Sequence, residues 1–265
     1  MKIRKQIKEW LYGSCPGFAG AFPYYGTKVY FPKNSLIFKM ACEQGIYEKE
    51  NIHILSSLIK PDSVYFDVGA NIGLMAIPVL HQSNSCTVVS FEPSPTTLQF
   101  LTRTVKESKF SDRWQLIGKA ADSSIGTLDF FTASNDLGAL DGFQDTKRAG
   151  EMSKITVPVT TLDTEWLAMD KPSVSAIKLD IEGAELAALE GALQCITTER
   201  PCILTEWNPV NLKAYGCDPK SLLNFVEKAQ YKIFSLPYLI PVHNSVGLKT
   251  QMMTTESFLL LPDDG

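Results

Sequence analysis

The fold is set by one stretch of the sequence, Val64 to Leu74, which reads Val-Tyr-Phe-Asp-Val-Gly-Ala-Asn-Ile-Gly-Leu. Its opening run is largely apolar and predicts a buried strand, and the glycines then predict a tight turn into a helix. In such a unit a ligand lies beyond the carboxyl end of the strand. Gly69 lets the backbone approach that ligand closely, and Gly73 lets the start of the helix pack near the strand. The stretch therefore predicts the first crossover of an α/β fold, with a small-molecule site above it.

From residue 61 onward, short apolar runs rich in β-branched residues alternate with amphipathic stretches. This alternation is typical of buried parallel strands connected by helices, so we expect an α/β, Rossmann-like sheet with helices on both faces. The predicted strands are Val64–Val68, Thr87–Phe91, Gln115–Ala120, Ala176–Leu179, Ile203–Glu206, Lys232–Ser235 and Ser257–Leu261. The predicted helices are Leu74–His81, Pro95–Ser108, Glu185–Ile196 and Pro219–Ala229.

Two further regions complete the predicted organisation. Residues 1–60 predict a cap that contains a basic helix, a hairpin near Thr27–Phe31 and a second helix near Ile52–Ile59, and residues 61–265 predict the catalytic domain. Within that domain, two extended segments, 127–132 and 155–159, flank a polar stretch over 135–153. Its polar residues and glycines predict a mobile loop that orders when substrate binds.

The glycine turn and the next strand indicate which kind of nucleotide binds. The second strand ends in Phe91-Glu92-Pro93, which places an acid where a ribose would present its hydroxyls. The turn has neither of the two glycine patterns that bind dinucleotides or triphosphates, and no Lys or Arg occurs between Tyr65 and Arg103, so NAD and nucleoside phosphates are disfavoured. A ribose attached to a cation fits better, and S-adenosylmethionine is such a ligand.

The residues predicted to bind S-adenosylmethionine lie at the ends of the first three strands. Asp67 would accept from its ammonium group, Glu92 from the ribose and Asp122 from the exocyclic amine of adenine. The full predicted set is Asp67, Gly69, Asn71, Gly73, Glu92, Pro93, Ala121 and Asp122. The alternative interpretation is a tight turn with no ligand, in which Glu92 is merely solvated.

Carboxylates also follow the predicted fourth and fifth strands. Asp180 and Glu182 come directly after the fourth strand, and Glu206 ends the fifth. Because active sites of α/β proteins form outside the carboxyl ends of the central strands, we expect these three residues to be catalytic. Two neighbours have structural interpretations as well: Glu185 favours a helix N-terminus, and Lys178 pairs with a nearby acid.

Five segments, taken together and in this order, resemble the FkbM-type S-adenosylmethionine-dependent methyltransferases. They are Phe66–Gly73, Ser90–Pro95, Thr160–Asp163, Ile177–Glu185 and Leu189–Ala192. The resemblance covers about Tyr47 to Leu261. It implies a class I methyltransferase sheet, seven-stranded with the last strand antiparallel, and transfer of a methyl group commonly to a hydroxyl oxygen. It also implies a cofactor role for the first glycine loop, Glu92 and Asp122, and assigns the family's acidic cluster to Asp180, Glu182 and Glu185.

The preferred interpretation is O-methylation of a hydroxyl on a small molecule or a sugar-bearing metabolite. Two routes are open. In the first, Asp180 or Glu182 acts as a general base during methyl transfer; in the second, a divalent metal held by their oxygens lowers the pKa of the hydroxyl. The first, metal-independent route is slightly preferred. Trp207 offers an apolar wall for the acceptor. Two other classes stay open: a non-catalytic module that binds the cofactor, and an NAD-dependent oxidoreductase.

Composition bounds the partners and the location. With 25 basic and 29 acidic side chains among 265 residues, the net charge is −4, which argues against a nucleic acid partner. The six cysteines form no C-x-x-C pair and no apolar run suits a signal or a membrane span, so we expect a cytoplasmic protein without stable membrane insertion. A homo-oligomer is compatible with the sequence. Near the N-terminus, Ile3, Ile7, Trp10 and Leu11 predict a short helix docked on its own domain, with a membrane-surface helix as the alternative.

Overall fold

The computed structural model describes residues 2–133 and 152–263 of the chain. In chain order its elements are α1 (Lys2–Gly13), β1 (Ala21–Tyr24), β2 (Thr27–Tyr30), α2 (Leu36–Gln44), α3 (Lys49–Leu58), β3 (Val64–Val68), α4 (Ala76–Gln82), β4 (Thr87–Phe91), α5 (Pro95–Glu107), β5 (Trp114–Ile117), β6 (Ala120–Ala121), β7 (Gly126–Ala133), β8 (Met152–Thr160), α6 (Leu162–Ala168), β9 (Val174–Leu179), α7 (Glu185–Glu190), α8 (Leu193–Glu199), β10 (Cys202–Glu206), α9 (Pro209–Ala214), α10 (Ser221–Ala229), β11 (Tyr231–Ser235), β12 (Ile240–Val242), α11 (Ser245–Gln251) and β13 (Ser257–Pro262). No helix within these ranges has the length and hydropathy that crossing a membrane requires.

One large sheet organises the protein. Over the described residues its strand order is β12-β11-β13-β10-β9-β3-β4-β5. Strands β10, β9, β3, β4 and β5 are parallel, and β13 runs antiparallel to both of its neighbours, β10 and β11. This arrangement confirms the α/β class I methyltransferase fold with an antiparallel last strand. The sheet has eight described strands instead of the expected seven, because the short β12 adds antiparallel to the outer edge of β11.

Burial explains why the central strands lie where they do. All five residues of β3 and all six of β9 are buried. A strand that is covered on both faces is mostly apolar along its whole length and does not alternate, and both stretches follow this pattern except at Asp67, Ser175 and Lys178. The predicted bounds of β3 and β4 are confirmed, and the other predicted strands of the sheet lie within one or two residues of the observed ones, except at the end of β5.

The predicted helix over 185–196 is wrong, because the chain divides there into α7 and α8. Two tertiary contacts cause the break. A Cβ atom at Gly191 would lie 2.1 Å from the carbonyl oxygen of Asp122, so the backbone passes very close at this point. The side chain of Asp163 then accepts from the backbone N–H groups of Gln194 and Cys195, at 2.9 and 2.7 Å, and so caps the start of α8 from a distant part of the chain.

The predicted third strand also differs from the structure. It divides into β5, in the large sheet, and β6, which pairs with β8 in a separate three-stranded sheet of order β6-β8-β7. Strands β7 and β8 confirm the two predicted extended segments and pair antiparallel. The predicted loop over 135–153 lies outside the described residues except for its last two positions, which begin β8.

The N-terminal 60 residues pack onto one face of the large sheet. The hairpin β1–β2 and helices α2 and α3 contribute buried side chains to the same hydrophobic cluster as β3 and α4, among them Phe22, Phe38 and Leu55. Helix α2 has no counterpart in the sequence prediction. The division into a cap over 1–60 and a catalytic domain over 61–265 stays a prediction, and the two parts share this cluster of buried side chains.

Candidate active site

A large cavity opens at the carboxyl ends of the central strands. Its walls come from the segments that follow β3, β4, β9 and β10, from β6 and β7, and from α2 and the start of α3. Its lining includes Val68, Gly69, Asn71, Phe91, Glu92, Pro93, Ala121, Phe130, Lys178, Asp180, Glu182 and Glu206. The sheet topology therefore brings together most of the residues that the sequence assigned to the site.

Gly69 allows two of these segments to meet. Its φ is +77°, and a Cβ atom built on it would lie 1.9 Å from the carbonyl oxygen of Asp180. Any side chain at this position would therefore collide with the backbone that follows β9. The close approach places the glycine turn directly beside the first acid of the predicted catalytic cluster.

Glu92 joins the glycine turn to the end of β4. Its carboxylate accepts from the backbone N–H of Asn71 at 2.9 Å and from that of Ser94 at 2.9 Å, and its side chain is 95% removed from solvent (5% exposed). The carboxylate is thus held rigidly on the cavity wall.

Not every residue of the predicted cofactor set lies on that wall. Gly69, Asn71, Glu92, Pro93 and Ala121 line the cavity. Gly73 instead allows the start of the next helix to pack on Trp114, whose ring would lie 2.7 Å from an added Cβ atom. Asp122 is not part of the lining, and its carboxylate accepts from the backbone and hydroxyl of Ser123.

The expected role of Asp67 is corrected by its position. Asp67 is fully buried within β3 and does not line the cavity. Its carboxylate accepts from the hydroxyls of Tyr65 and Ser90 and lies 3.9 Å from the ammonium group of Lys178. Because these groups surround it inside the sheet, Asp67 anchors Lys178 and does not reach a ligand ammonium group. The expected role of Trp207 as an apolar wall for the acceptor is corrected as well. Trp207 is fully buried, donates to the carbonyl of Pro219 and does not line the cavity.

Asp180, Glu182 and Glu206 form a compact acidic cluster. Each offers a carboxylate oxygen, and these oxygens lie within 4.8 Å of one another. Neighbouring side chains hold them in place: Lys178 lies 3.2 Å from Asp180, and Asn211 donates to Glu182 at 2.7 Å. The predicted cluster is therefore brought together at the mouth of β9 and β10.

The charges of the cluster are unequal. Burial raises the pKa of Glu206 strongly, and the neighbouring Asp180, with which it shares a hydrogen bond, raises it further. For Lys178, burial alone would lower the pKa, but the carboxylates of Asp180, Asp67 and Glu48 outweigh it and raise the pKa, so the ammonium group stays charged. At neutral pH, Glu206 is thus the protonated member of the cluster, and Asp180 faces a permanent cation.

The three carboxyl groups are also the residues that could hold a divalent cation, because their oxygens are close enough to share one ion. Lys178 already places a positive charge against Asp180, and Asn211 already donates to Glu182. A metal ion would have to compete with both partners. This donor set favours the metal-independent route of the two that the sequence leaves open.

Glu185 supports the loop that carries the cluster. It is 2% exposed, and its Oε1 accepts from the backbone N–H groups of Ile181 and Gly183 at 3.0 and 3.1 Å. The same side chain begins α7, so it fixes the turn between β9 and that helix. Of its two interpretations, the structure supports the structural one, and Glu185 is not part of the cavity lining.

Glu185 makes the stability of the protein depend on pH. Burial raises its pKa from 4.5 to about 7, although the backbone donors oppose the shift. Because the folded pKa exceeds the unfolded one, the folded state binds more protons in this range, and stability falls as the pH rises from about 4.5 to about 7. We expect Glu185→Gln to gain about 2 to 3 kcal/mol relative to the wild type at pH 8 and almost nothing at pH 4.5. Urea unfolding at the two pH values measures this difference. The matched control is Glu190→Gln, at the exposed end of the same helix, and an equal gain in both variants would contradict the assignment.

The N-terminal segment supplies site residues that the sequence did not identify. Tyr47, Glu48 and Asn51 line the same cavity as the acidic cluster. Glu48 has a left-handed backbone, with φ of 44° and ψ of 48°, and accepts from Asn51, which also donates to Ser257. Burial raises the pKa of Glu48, and Asp180 adds to the effect. No local pattern marks these residues, since they reach the site only because the N-terminal segment folds over the sheet.

The strand order, the glycine turn and the acidic strand ends define the chain as a class I methyltransferase. The chain belongs to the FkbM methyltransferase family: residues 67–233 match the Methyltransferase FkbM domain. The family implies S-adenosylmethionine as the cofactor.

Two relatives and one solved structure illustrate the similarity. The chain is 29% identical over 187 residues to the hexuronic acid methyltransferase AglP of Haloferax volcanii, covering 69% of each chain. It is 26% identical over 183 residues to the 2-O-methyltransferase NoeI of Sinorhizobium fredii, covering 62% of this chain and 71% of that one. The crystal structure of an FkbM methyltransferase from Methylobacillus flagellatus superposes with a TM-score of 0.47 at 16% identity and covers 87% of this chain but 56% of that one.

Proposed function

We propose that the protein transfers a methyl group from S-adenosylmethionine to a hydroxyl oxygen of a small molecule, with a sugar or sugar-containing metabolite as the preferred acceptor class. The observation that carries the proposal is the pair formed by Asp180 and Glu206, whose carboxyl oxygens lie within 4.8 Å of one another beside the Gly69 turn, with the ammonium group of Lys178 3.2 Å from Asp180. The names of the two relatives support the acceptor class, because one is a hexuronic acid methyltransferase and the other a 2-O-methyltransferase.

The residues of the cavity fit the proposed cofactor. Glu92 presents a carboxylate suited to the two hydroxyls of a ribose, and Phe91, Pro93, Ala121 and Phe130 offer an apolar slot for a flat ring. The carboxylates of the acidic cluster beside the Gly69 turn suit a cationic ligand better than an anionic one. When bound, the cofactor supplies an electrophilic methyl group on a positively charged sulfur.

The high pKa of the acceptor hydroxyl limits the role that the acidic cluster can have. An alcohol with a pKa near that of water, roughly 15.7, costs on the order of 12 kcal/mol to ionise fully at pH 7. No carboxylate removes such a proton in advance. As the C–O bond forms and the C–S bond breaks, the hydroxyl proton therefore passes to an oxygen of Asp180 in the same step. Holding the reacting oxygen in line contributes roughly 7 to 11 kcal/mol through positioning alone.

The experiment is a transfer assay with donor labelled in its methyl group, run against a panel of sugars, sugar acids and phenols. We expect label in a product that releases it only under conditions that cleave ethers. Label in an amine product would contradict O-methylation. Binding of the donor without transfer to any acceptor, under conditions in which a relative turns over, would instead favour the non-catalytic module.

Glu92 provides the test of the cofactor site. We expect Glu92→Ala to weaken binding of S-adenosylmethionine by about 1 to 3 kcal/mol, because a charged acceptor of hydrogen bonds is lost. Isothermal titration calorimetry measures the dissociation constant. The control is Glu227→Ala, an exposed glutamate of α10 that does not line the cavity and should leave the affinity unchanged. An unchanged affinity in Glu92→Ala would show that the ribose lies elsewhere.

A further inference from the structure

Helix α1 packs against the rest of the protein with the side that carries Lys5 and Tyr12. Lys5 forms an ion pair with Glu43 of α2, and Tyr12 packs against the hydrophobic cluster that the N-terminal segment shares with the sheet. Lys5 and Tyr12 lie seven positions apart, two turns along one side of the helix. The sequence predicted a short helix docked on its own domain, and in the structure the contacts of α1 include Lys5 and Tyr12.

Three apolar residues of α1 face solvent, while Leu11 is half-buried. Ile3, Ile7 and Trp10 follow one another at spacings of four and three residues, so they form one stripe, and they are 71%, 56% and 61% exposed. Phe18, in the turn after the helix, is 58% exposed. Single exposed apolar residues are ordinary, but a continuous stripe with a tryptophan is typical of surfaces that bind another protein or a membrane.

The charges beside the stripe indicate the partner. Arg4 and Lys8 are both exposed and lie one turn apart, in a row between the stripe and the packed side that carries Lys5. In an antiparallel pair of such helices from two copies of this chain, these basic residues would approach one another and repel. An anionic lipid surface neutralises them and at the same time takes up the apolar side chains, with the indole at the interface.

We propose that α1 docks the protein onto the surface of a membrane containing anionic lipids, lying in the interface and not crossing the bilayer. The stripe of Ile3, Ile7 and Trp10 enters the boundary between headgroups and acyl chains. Arg4 and Lys8 contact the acidic headgroups. The proposal goes beyond the methyl transfer proposed above, and donor binding can be measured separately.

The test uses the full chain and vesicles of phosphatidylcholine with or without phosphatidylglycerol. Sedimentation should show binding only to the vesicles that contain phosphatidylglycerol. The binding should weaken when salt rises from about 0.1 M to about 1 M, because the Debye length falls from about 10 Å to about 3 Å. Absence of binding to the anionic vesicles, or equal binding to both compositions, would overturn the proposal.

Substitutions separate the contribution of the basic residues to membrane binding from that of the apolar residues. Arg4→Gln with Lys8→Gln should weaken binding about 30-fold, since each basic residue near an anionic surface contributes a factor of about five. Ile3→Ser with Ile7→Ser should weaken it at least tenfold. The matched control is Val246→Ser with Met253→Ser, which removes two apolar side chains that are 73% and 84% exposed elsewhere and should leave binding unchanged. Equal loss in the control would contradict a specific role for α1.

Tryptophan fluorescence gives a direct readout of the docked helix. Trp114, Trp166 and Trp207 are at most 2% exposed, so Trp10 is the exposed one of the four tryptophans in the chain. Its emission should shift to the blue when anionic vesicles are added. Trp10→Phe should lose the shift but keep most of the binding. A wild-type protein that instead forms dimers without lipid, through the same stripe, would assign the surface to a second copy and overturn the proposal.

Discussion

Replacing Asp180 with asparagine is expected to lower kcat by about 10² to 10⁴-fold, the range that a positioned general base contributes. The reason lies in the unequal charges of the cluster. Lys178 holds a cation 3.2 Å from Asp180, which favours the ionised form that accepts the proton of the acceptor. An amide in the same place keeps the shape but accepts no proton. Single-turnover assays with saturating donor and acceptor isolate this step from product release.

Glu206→Gln is the matched control for that experiment. The carboxyl of Glu206 is held protonated by burial and by Asp180, so it acts as a hydrogen-bond donor to its neighbour. The amide of glutamine also donates, and the variant should therefore lose less than about tenfold in kcat, well below the loss expected for a general base. If Glu206→Gln were the slower variant and Asp180→Asn retained full activity, the roles of the two residues would be reversed. Dissociation constants for the donor, measured on both variants, show whether binding has changed as well.

The parts of the fold that depend on local patterns could be predicted from the sequence. Strands β3 and β4 have their predicted bounds, because continuous apolar runs in the middle of a parallel sheet leave little choice of face or length. The break between α7 and α8 could not be predicted. Its causes are the cap from Asp163 and the close passage of Asp122, and both residues come from other segments of the chain.

The candidate site likewise contains residues that could be predicted from the sequence and residues that could not. Acids placed directly after strands, such as Asp180 and Glu206, could be located because strand ends meet at one edge of a parallel sheet. Asp67 misled the prediction, because position in a strand does not reveal that the side chain faces Lys178 within the sheet. Glu48 was missed, since it approaches the cluster only through the folding of the N-terminal segment over the cavity.

Gly69→Ala is expected to destabilise the protein by about 2 to 6 kcal/mol, the sum of a strained backbone and of overpacking. At a φ of +77° an alanine is strained in any surroundings, and here its Cβ atom would also lie 1.9 Å from the carbonyl oxygen of Asp180. Neither backbone segment can yield without moving the acidic cluster away from the glycine turn. The variant should therefore also bind S-adenosylmethionine more weakly in whatever fraction remains folded.

Gly26→Ala separates the two causes. Gly26 has nearly the same φ, +75°, but no atom within 4 Å of an added Cβ. The free energy of unfolding of Gly26→Ala should fall by about 1 to 3 kcal/mol, through the strained backbone alone. The variant should keep its affinity for the donor. Urea unfolding of both variants measures the difference, which is the contribution of the contact with Asp180. Equal losses would mean that the glycine turn and the loop after β9 are not held together as the geometry indicates, and the placement of Asp180 beside that turn would then have to be abandoned.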